Sequence, residues 1–155
     1  MAYWLMKSEP DEFSIDDLAA AGTTPWFGVR NYQARNYMRD AMALGDRALF
    51  YHSSCPQPGV AGICEVCTAP YPDATQFELA SPYHDPKSTR AEPRWLNVDV
   101  CFVGKTRLVA LAELRAEPRL ADMRILQRGN RLSITPVTAT EWKIVQELAR
   151  RKPRA

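Results

Sequence analysis

Residues 26–40, WFGVRNYQARNYMRD, combine two kinds of binding chemistry in one short segment. An indole ring can stack on a nucleobase, and Trp26 stands close to Gly28, where a ligand could approach the backbone. Arginine side chains bind phosphates, and the segment carries three of them, at Arg30, Arg35 and Arg39. The pattern indicates an aromatic wall beside phosphate-binding cations. Two alternatives stay open: a tryptophan that packs in the core and arginines on the solvated side of a helix.

The same segment has the spacing of an amphipathic helix. Small and apolar residues recur with the helical period between positions 34 and 42. Asn31, Arg35 and Arg39 lie four residues apart and therefore close to one face. Backbone N–H groups at the start of such a helix would add to anion binding. We expect one helix here, ended by Gly45, which aligns the basic residues.

The remaining reactive side chains form no catalytic or metal-binding pattern. Cys64 and Cys67 have a zinc-like spacing, but no second pair of ligands follows, and residues three apart in a strand face opposite ways. His52 directly precedes Ser53 and Ser54, and neighbouring strand residues also point apart. Nucleotide-binding and hydrolase motifs are missing from the sequence. We therefore expect reduced structural thiols, no metal, no cofactor and no catalysis.

Charges are unevenly distributed along the chain, although the net charge is only +2. Residues 1–22 carry one basic and five acidic side chains, whereas residues 105–131 carry seven basic and three acidic ones. Residues 141–155 carry five basic and two acidic ones. This distribution allows a basic face for a polyanion, or an ordinary solvated surface. No apolar run approaches the roughly 20 residues that span a bilayer, and the first residues lack a signal-peptide core, so an intracellular protein without membrane contact is expected.

The length of 155 residues fits one domain, expected over residues 1–150, with a frayed basic tail at 151–155. Alternating or apolar runs predict strands at 2–6, 47–53, 59–67, 95–103 and 131–137. Helices are expected at 15–20, after position 30, within 110–126 and after Thr138. The aromatic residues of the long loop at 68–93 favour an ordered, packed loop. The clustering of the strands favours a small barrel or curled sheet.

Several residues predict local details of these elements. Ser14 with Asp17, and Thr138 with Glu141, form capping-box patterns at two helix starts. Pro136 favours a sheet edge, because proline cannot donate to a strand ladder. The three other tryptophans have the patterns of core residues: Trp4, Trp95 and Trp142.

Long and nearly gapless segments of the sequence resemble the EVE domain family. They are YWLMKSEPDEFS (3–14), WFGVRNYQARNYMRDAM (26–42), GDRALFYHSSCPQPGVAGICEV (45–66), YPDATQF (71–77), PYHDPKS (82–88), PRWLNVDVCFV (93–103) and RLSITPVTATEW (131–142). The resemblance implies an α+β, PUA-like fold, which is a small, curled, mostly antiparallel β-barrel of five to six strands flanked by helices. Members of that fold group bind RNA or modified DNA, several of them by holding one base in a pocket. The EVE domain is correspondingly associated with reading modified bases, without catalysis.

Carried over by position, the resemblance implies a base pocket between the KSEP turn, the WFGVRN segment and the end of the YHSS strand. Trp26 would stack on the base, while Asn31 and Ser53 would hydrogen-bond to its edge. The implied pocket residues are Trp26, Gly28, Val29, Asn31, Tyr32, His52, Ser53 and Ser54. The implied phosphate or anion contacts are Lys7, Ser8, Arg30, Arg35 and Arg39, and the implied loop residues are Tyr83, Asp85 and Lys87. A cage of three aromatic rings is not visible, so Tyr32 or Tyr83 would have to supply a second wall.

The leading hypothesis is a non-catalytic reader of a modified cytosine or adenine in DNA or RNA, which binds by base extrusion. One alternative is an RNA-modifying or nucleotide-processing enzyme that uses the same pocket. Its general acid or base would have to come from Glu9, Asp11, His52 or Asp85. Another alternative is a small-metabolite sensor. We further expect a monomer whose pocket captures a buffer molecule or small anion, located in a bacterial cytoplasm or, in a eukaryote, in the nucleus.

Overall fold

The computed structural model describes residues 1–151 and contains eight strands and four α-helices in that range. The strands are β1 (Tyr3–Ser8), β2 (Thr23–Pro25), β3 (Arg47–His52), β4 (Gly59–Val66), β5 (Tyr71–Pro72), β6 (Leu96–Asn97), β7 (Asp99–Ala110) and β8 (Ile134–Val137). The helices are α1 (Ile15–Ala21), α2 (Tyr32–Asn36), α3 (Leu111–Ala116) and α4 (Ala139–Arg150). The tail predicted to be frayed lies outside the described residues, except for Arg151.

Six of the strands form one sheet in the order β2-β7-β4-β3-β1-β8. Strand β1 runs parallel to β3, and the other neighbours in this sheet are antiparallel. The predicted α+β class with a mostly antiparallel sheet is therefore confirmed. The sheet is not a closed barrel, because β2 and β8 form its two edges and share no ladder in the described part of the chain. Pro136 lies in the edge strand β8, as its missing N–H predicts.

The strand predicted at 95–103 is divided in the structure. Its first part, β6, pairs with β5 in a separate two-stranded sheet, while β7 begins at Asp99 and continues to Ala110. The break lies at Val98, whose side chain is fully buried and whose carbonyl accepts a hydrogen bond from the backbone of Trp26 at 2.7 Å. At this point, beside the segment that carries Trp26, the chain passes from the two-stranded sheet of the loop region into the six-stranded sheet.

Alternate residues of the central strands contribute their side chains to two hydrophobic clusters, one on each face of the sheet. Trp4 and Phe50 belong to the cluster on one face, which also takes in Trp26. Leu5 and Leu49, their neighbours in sequence, belong to the cluster on the other face with residues of α4. Both faces of the sheet are therefore covered, which leaves the ends of the strands as the accessible place for a site.

The capping predictions are confirmed, whereas the helix predicted in the arginine segment is irregular. Complete capping boxes start α1 at Ser14 and α4 at Thr138. Helix α2 ends after five residues and continues as one π-helical turn, Tyr37–Ala41. A π turn shifts the spacing of side chains away from the regular helical period.

Among the described helices, none is both long and apolar enough to cross a membrane.

The long loop between β4 and β6 is ordered around one buried amide. The side chain of Gln76 is fully buried and donates to the carbonyls of Asp73 at 2.7 Å and Trp95 at 2.8 Å. Its amide oxygen accepts from the Ser88 hydroxyl at 2.6 Å and from the Trp95 N–H at 3.0 Å. Both donors and both acceptor positions of this amide are thus used. The loop is held as a packed unit, and it carries Tyr83 to the end of the sheet.

Candidate nucleic-acid interface

A cavity of about 640 Å³ opens where β1 and β3 end. We call it the central cavity. Five parts of the chain form it: the end of β1 with the turn that follows, the segment around Trp26, the serines after β3, the loop tyrosine, and the residues just before β8. Its lining residues are Lys7, Ser8, Glu9, Glu12, Phe13, Thr24, Pro25, Trp26, Phe27, Gly28, Val29, Arg30, Ser53, Ser54, Tyr83, Arg131 and Ser133. The volume lies within the range of small-ligand pockets, about 300–1,000 Å³.

Trp26 both packs in the core and borders the central cavity. Its side chain is only 9% exposed, and its ring meets Phe50 edge to face at a centroid distance of 5.6 Å. It nevertheless lines the cavity. The two interpretations of Trp26 as a core residue and as a cavity wall are therefore compatible, because one edge of an indole can be packed while another faces a cavity.

Tyr83 forms a second aromatic wall that depends on the absence of a side chain at Gly28. Gly28 has φ +80°, and a Cβ atom at this position would lie 2.9 Å from the Cζ atom of Tyr83. Phe27 meets Tyr83 edge to face at 5.9 Å and is half exposed. Phe27 was not predicted from the sequence, although its position between Trp26 and Gly28 is a usable signal. With Phe13, four aromatic residues therefore border the cavity, from three parts of the chain.

Arg30 holds the loop against the cavity and does not offer its guanidinium to a ligand. It donates to the Tyr83 carbonyl through Nε at 3.0 Å and Nη2 at 2.7 Å. It also donates to the Val29 carbonyl, the Asp73 carboxylate and the Thr75 hydroxyl at 2.8, 3.1 and 3.1 Å. All five N–H donors of the side chain are thereby used. The structure thus gives Arg30 a positioning role, and its predicted phosphate contact stays a prediction.

Asp73 is the buried partner in this arrangement. Its side chain is fully buried and accepts hydrogen bonds from the Gly28 N–H at 2.7 Å and from the Thr75 N–H at 2.8 Å, in addition to Arg30. Burial by itself would raise the pKa of Asp73, but the hydrogen bonds from Thr75, Gly28 and Arg30 outweigh it and keep the pKa below its ordinary value. The ionised carboxylate therefore joins Gly28, Arg30 and the loop.

The two residues that begin the helix lie outside the central cavity. Asn31 caps α2, because its side-chain oxygen accepts from the Ala34 N–H at 3.1 Å. Tyr32 stacks on Trp95 with a centroid distance of 4.8 Å and lies half exposed at the surface. Asn31 is therefore engaged in capping instead of reading a base edge, and the second wall is supplied by Tyr83 rather than Tyr32.

The two later arginines also lie outside the cavity. Arg35 donates to the Arg94 carbonyl at 2.9 Å and to the Asn36 side chain, and its guanidinium lies over the Tyr32 ring. Arg39 forms an exposed ion pair with Asp40 at 2.8 Å. The two arginines therefore do not border the central cavity with Trp26, and their predicted phosphate contacts stay predictions.

His52 belongs to a different, smaller cavity of about 380 Å³. Its Nε2 atom accepts from the Ile15 N–H at 3.1 Å, and burial lowers its pKa. Ser53 and Ser54 do line the central cavity, as the resemblance implies. The polypeptide therefore turns at the end of β3 so that the histidine and the serines face different cavities.

The three predicted loop residues also lie partly inside and partly outside the central cavity. Tyr83 lines the central cavity, but Asp85 does not, since its carboxylate accepts from the Trp95 indole N–H at 2.8 Å and from the Lys87 N–H at 2.9 Å. Lys87 is exposed and outside the lining. Of the four acid–base candidates, Glu9 alone lines the cavity, whereas His52, Asp85 and Asp11 do not. Glu9 is therefore the one of these four candidates that the structure places beside a ligand in the central cavity.

The cations available to a ligand are Lys7 and Arg131. Both line the central cavity, and neither side chain has a hydrogen-bond or ion-pair partner within residues 1–151. Burial lowers the pKa of Lys7. The sequence resemblance included Lys7 but missed Arg131, which lies about a hundred positions from the opening segment and carries no local motif. Glu9 and Glu12 add acceptors, so the cavity presents charges of both signs.

The cysteines have the structural character that the sequence predicts. Cys64 is buried, and burial raises the pKa of its thiol far above the ordinary value. Burial and the neighbouring Cys101 raise the pKa of Cys67 to about 11. Both thiols are therefore protonated and weakly nucleophilic at neutral pH. Within the described residues, no group of three or more His, Cys, Asp or Glu side chains is arranged to hold a metal ion.

Comparison with known proteins shows relatives over nearly the whole chain. The family model described as "EVE domain" matches residues 2–148. Human thymocyte nuclear protein 1 is 44% identical over 172 residues, which cover 98% of this chain and 76% of the relative. The crystal structure of human THYN1 protein in complex with 5-methylcytosine containing DNA has a TM-score of 0.93 at 44% identity and covers 99% of this chain and 100% of that chain. The crystal structure of a Pseudomonas putida protein has a TM-score of 0.92 at 50% identity and covers 96% and 99%.

Proposed function

Since this chain belongs to the EVE domain family, we propose that it is a non-catalytic DNA-binding module that takes an extruded modified cytosine into its central cavity. The human THYN1 protein, which is similar over 99% of this chain, forms a complex with DNA that contains 5-methylcytosine. The observation that carries the proposal is the cavity itself, since aromatic rings, unpaired cations and hydrogen-bonding side chains line one space of about 640 Å³. Such a combination suits a flipped base with its phosphate.

The polar lining is complementary to the edge of cytosine. The exocyclic amine of cytosine donates hydrogen bonds, and carboxylates are its usual protein acceptors. Glu9 and Glu12 supply carboxylates, while Ser53 and Ser54 supply donors for the ring nitrogen and carbonyl oxygen. Both kinds of partner are needed, because a buried base edge without partners would lose its hydrogen bonds to water.

The apolar lining provides the stacking energy and the preference for a methyl group. Stacking on an aromatic side chain contributes about 1–3 kcal/mol per base, which must offset an extrusion cost of a few kcal/mol. Burying one added methyl group contributes about 0.8 kcal/mol, roughly a fourfold preference over unmodified cytosine. Phe13, Trp26, Phe27 and Tyr83 are the rings that border this space.

The variant Tyr83→Ala is expected to weaken binding of a 5-methylcytosine oligonucleotide by about 1–3 kcal/mol, or roughly 5- to 150-fold. Tyr83 is a better probe than Trp26, which is 9% exposed and packs against Phe50, so that its removal would also damage the core. Fluorescence anisotropy with methylated and unmethylated oligonucleotides measures the effect. Tyr32→Ala is the matched control, since Tyr32 stacks on Trp95 outside the cavity. Wild-type affinity in Tyr83→Ala would contradict the proposal.

The variant Lys7→Met is expected to weaken DNA binding without weakening the fold. Since burial lowers the pKa of Lys7, the folded protein disfavours its charge at neutral pH, and this penalty is relieved as the pH rises toward the ordinary value of 10.5. Thermal unfolding at neutral pH should therefore show equal or higher stability. The slope of log affinity against log salt should fall by about one. Unchanged salt dependence would remove Lys7 from the interface.

The other expectations stay predictions. They include a single functional domain over residues 1–150, a monomeric state, capture of a small anion by the cavity, and location in a bacterial cytoplasm or a eukaryotic nucleus. Turnover of a labelled oligonucleotide would instead support the enzymatic alternative. Binding of a free nucleoside as tight as that of an oligonucleotide would support a metabolite sensor.

A further inference from the structure

A second open cavity, of about 690 Å³, adjoins the central cavity. We call it the basic groove. Lys7, Ser53 and Ser54 line both cavities, so the two meet at the end of β3. The far part of the groove is formed by Arg115 of α3 and by the turn that contains Arg128. The two cavities are therefore neighbours that share Lys7 and the serine pair as a common border.

The charge in the groove is of one sign. Lys7, Arg115 and Arg128 line it, and its lining contains no aspartate or glutamate. None of these three side chains has a hydrogen-bond or ion-pair partner among residues 1–151. Other arginines of the protein are engaged, as Arg30 is with Asp73 and Arg39 with Asp40. The groove thus collects cations that the fold itself does not use, in contrast to the mixed charges of the central cavity.

The turn that presents Arg128 is braced at both ends. The Gln127 side chain donates to the Ala121 carbonyl at 3.1 Å, and the Asn130 side chain donates to the Arg124 carbonyl at 2.6 Å. Gly129 between them has φ +79° and open space around the position of a Cβ atom. A braced turn holds its cation near a ligand without a large ordering cost.

The junction between the two cavities contains a strained residue. Ser54 has φ 53° and is the one non-glycine residue with positive φ in the described chain. A residue with a side chain keeps such a conformation where the surroundings impose it, often at binding sites. The serine pair is therefore held in a fixed geometry where a bound strand would leave the central cavity.

We infer that the basic groove holds the phosphodiester backbone of the strand on one side of the extruded base. This inference rests on the proposed function and extends it from a single base to a strand with a defined direction. Lys7 contacts the phosphate next to the base, because it lines both cavities. Arg115 and Arg128 contact phosphates farther along the same strand. Unpaired arginines in an open groove free of carboxylates suit a polyanion that passes through it.

The test uses the double variant Arg115→Ala/Arg128→Ala and fluorescein-labelled single-stranded DNA with one 5-methylcytosine. Loss of two phosphate contacts should reduce the slope of log affinity against log salt by about 1.4. Two otherwise identical oligonucleotides carry the 5-methylcytosine at the 5′ end or at the 3′ end. Comparing them shows on which side of the extruded base the groove binds the strand. The double variant should lower affinity for one of these oligonucleotides and leave the other near the wild-type value.

The matched control is Arg39→Ala/Arg47→Ala, which removes the same total charge from residues that pair with Asp40 and Glu65 outside both cavities. An equal loss of salt dependence in this control would overturn the inference, since bulk charge would explain it. Equal losses for both oligonucleotide ends would also overturn it.

The ratio of methylated to unmethylated affinity should stay unchanged in the groove variant. Absence of that preference in the wild type would instead count against the proposed function, whereas the salt slopes would still report on the groove.

Discussion

Asp73→Ala is expected to lower the free energy of unfolding by about 3 kcal/mol, because it leaves the Arg30 guanidinium without the carboxylate that it contacts. The Asp73 side chain is fully buried, while that of Arg30 retains 22% exposure, which puts the effect at the lower end for a broken buried pair. The Gly28 N–H and the Thr75 N–H lose their acceptor as well. Urea denaturation followed by tryptophan fluorescence measures the change.

The exposed pair of Arg39 and Asp40 provides the matched control. Its two side chains are 48% and 58% exposed, and water replaces such a partner readily. Asp40→Ala is therefore expected to leave the unfolding midpoint nearly unchanged. Similar midpoint shifts in the two variants would show that Asp73 is not a buried support of the loop. Asp73→Ala should also weaken oligonucleotide binding, since Arg30 holds the Tyr83 carbonyl.

The pH dependence of stability provides an independent measure of Asp73. Its pKa is depressed in the folded protein, so its contribution is fully present above the ordinary aspartate pKa of about 3.9 and is lost as the pH falls through the lowered folded value. Asp73→Asn keeps the shape of the side chain but cannot titrate. The variant should be less stable than the wild type at neutral pH, and this difference should shrink in acid. A constant difference across the acid range would contradict the assigned ionisation.

Gly28→Ala is expected to abolish most of the binding of a 5-methylcytosine oligonucleotide, by the roughly 5- to 150-fold expected for a lost stacking wall. The new Cβ atom would lie 2.9 Å from the Cζ atom of Tyr83, so the ring must move. Arg30 holds the backbone carbonyl of Tyr83, so the displacement falls on the side chain, which borders the cavity. Anisotropy titration and a thermal melt on the same protein separate binding from folding.

Gly22→Ala is the control that separates the effect of backbone strain from the effect of the contact with Tyr83. Gly22 has φ +82°, close to the +80° of Gly28, but a Cβ atom there would meet nothing within 4 Å. Alanine is strained at a positive φ at either position. Both variants should therefore lose stability, whereas binding should fall in Gly28→Ala and be retained in Gly22→Ala. Parallel losses of binding would assign the effect to the fold instead of the wall.

The features that the sequence predicted correctly are those set by near neighbours. The capping boxes at Ser14 and Thr138 are confirmed, since the partner lies three residues away in each case. The central strands are confirmed because alternation records which side chains face each layer. The helix after Asn31 was predicted as regular, and its π-helical turn was missed, because the apolar spacing alone does not distinguish a helix from a helix with one wide turn.

The site was predicted in part. Placement of Trp26, Gly28 and the serine pair at one cavity agrees with the resemblance, which compares long segments instead of single residues. Arg30 was assigned to phosphate because a guanidinium binds carbonyls, carboxylates and phosphates with the same donors. Its partners Asp73 and Tyr83 lie 43 and 53 positions away, in a loop without periodicity.

Local spacing in the sequence was enough for the caps and the core tryptophans, while the α+β class and the segment on one side of the cavity came from the resemblance to the EVE domain family. Which cations are free depends on the folded chain. The packed loop provides carbonyl acceptors for Arg30 and Arg35. The side chains of Lys7, Arg115, Arg128 and Arg131 have no protein partners within residues 1–151. A charged donor binds whichever acceptor the fold brings within about 3 Å, and that choice is made by contacts between distant parts of the chain.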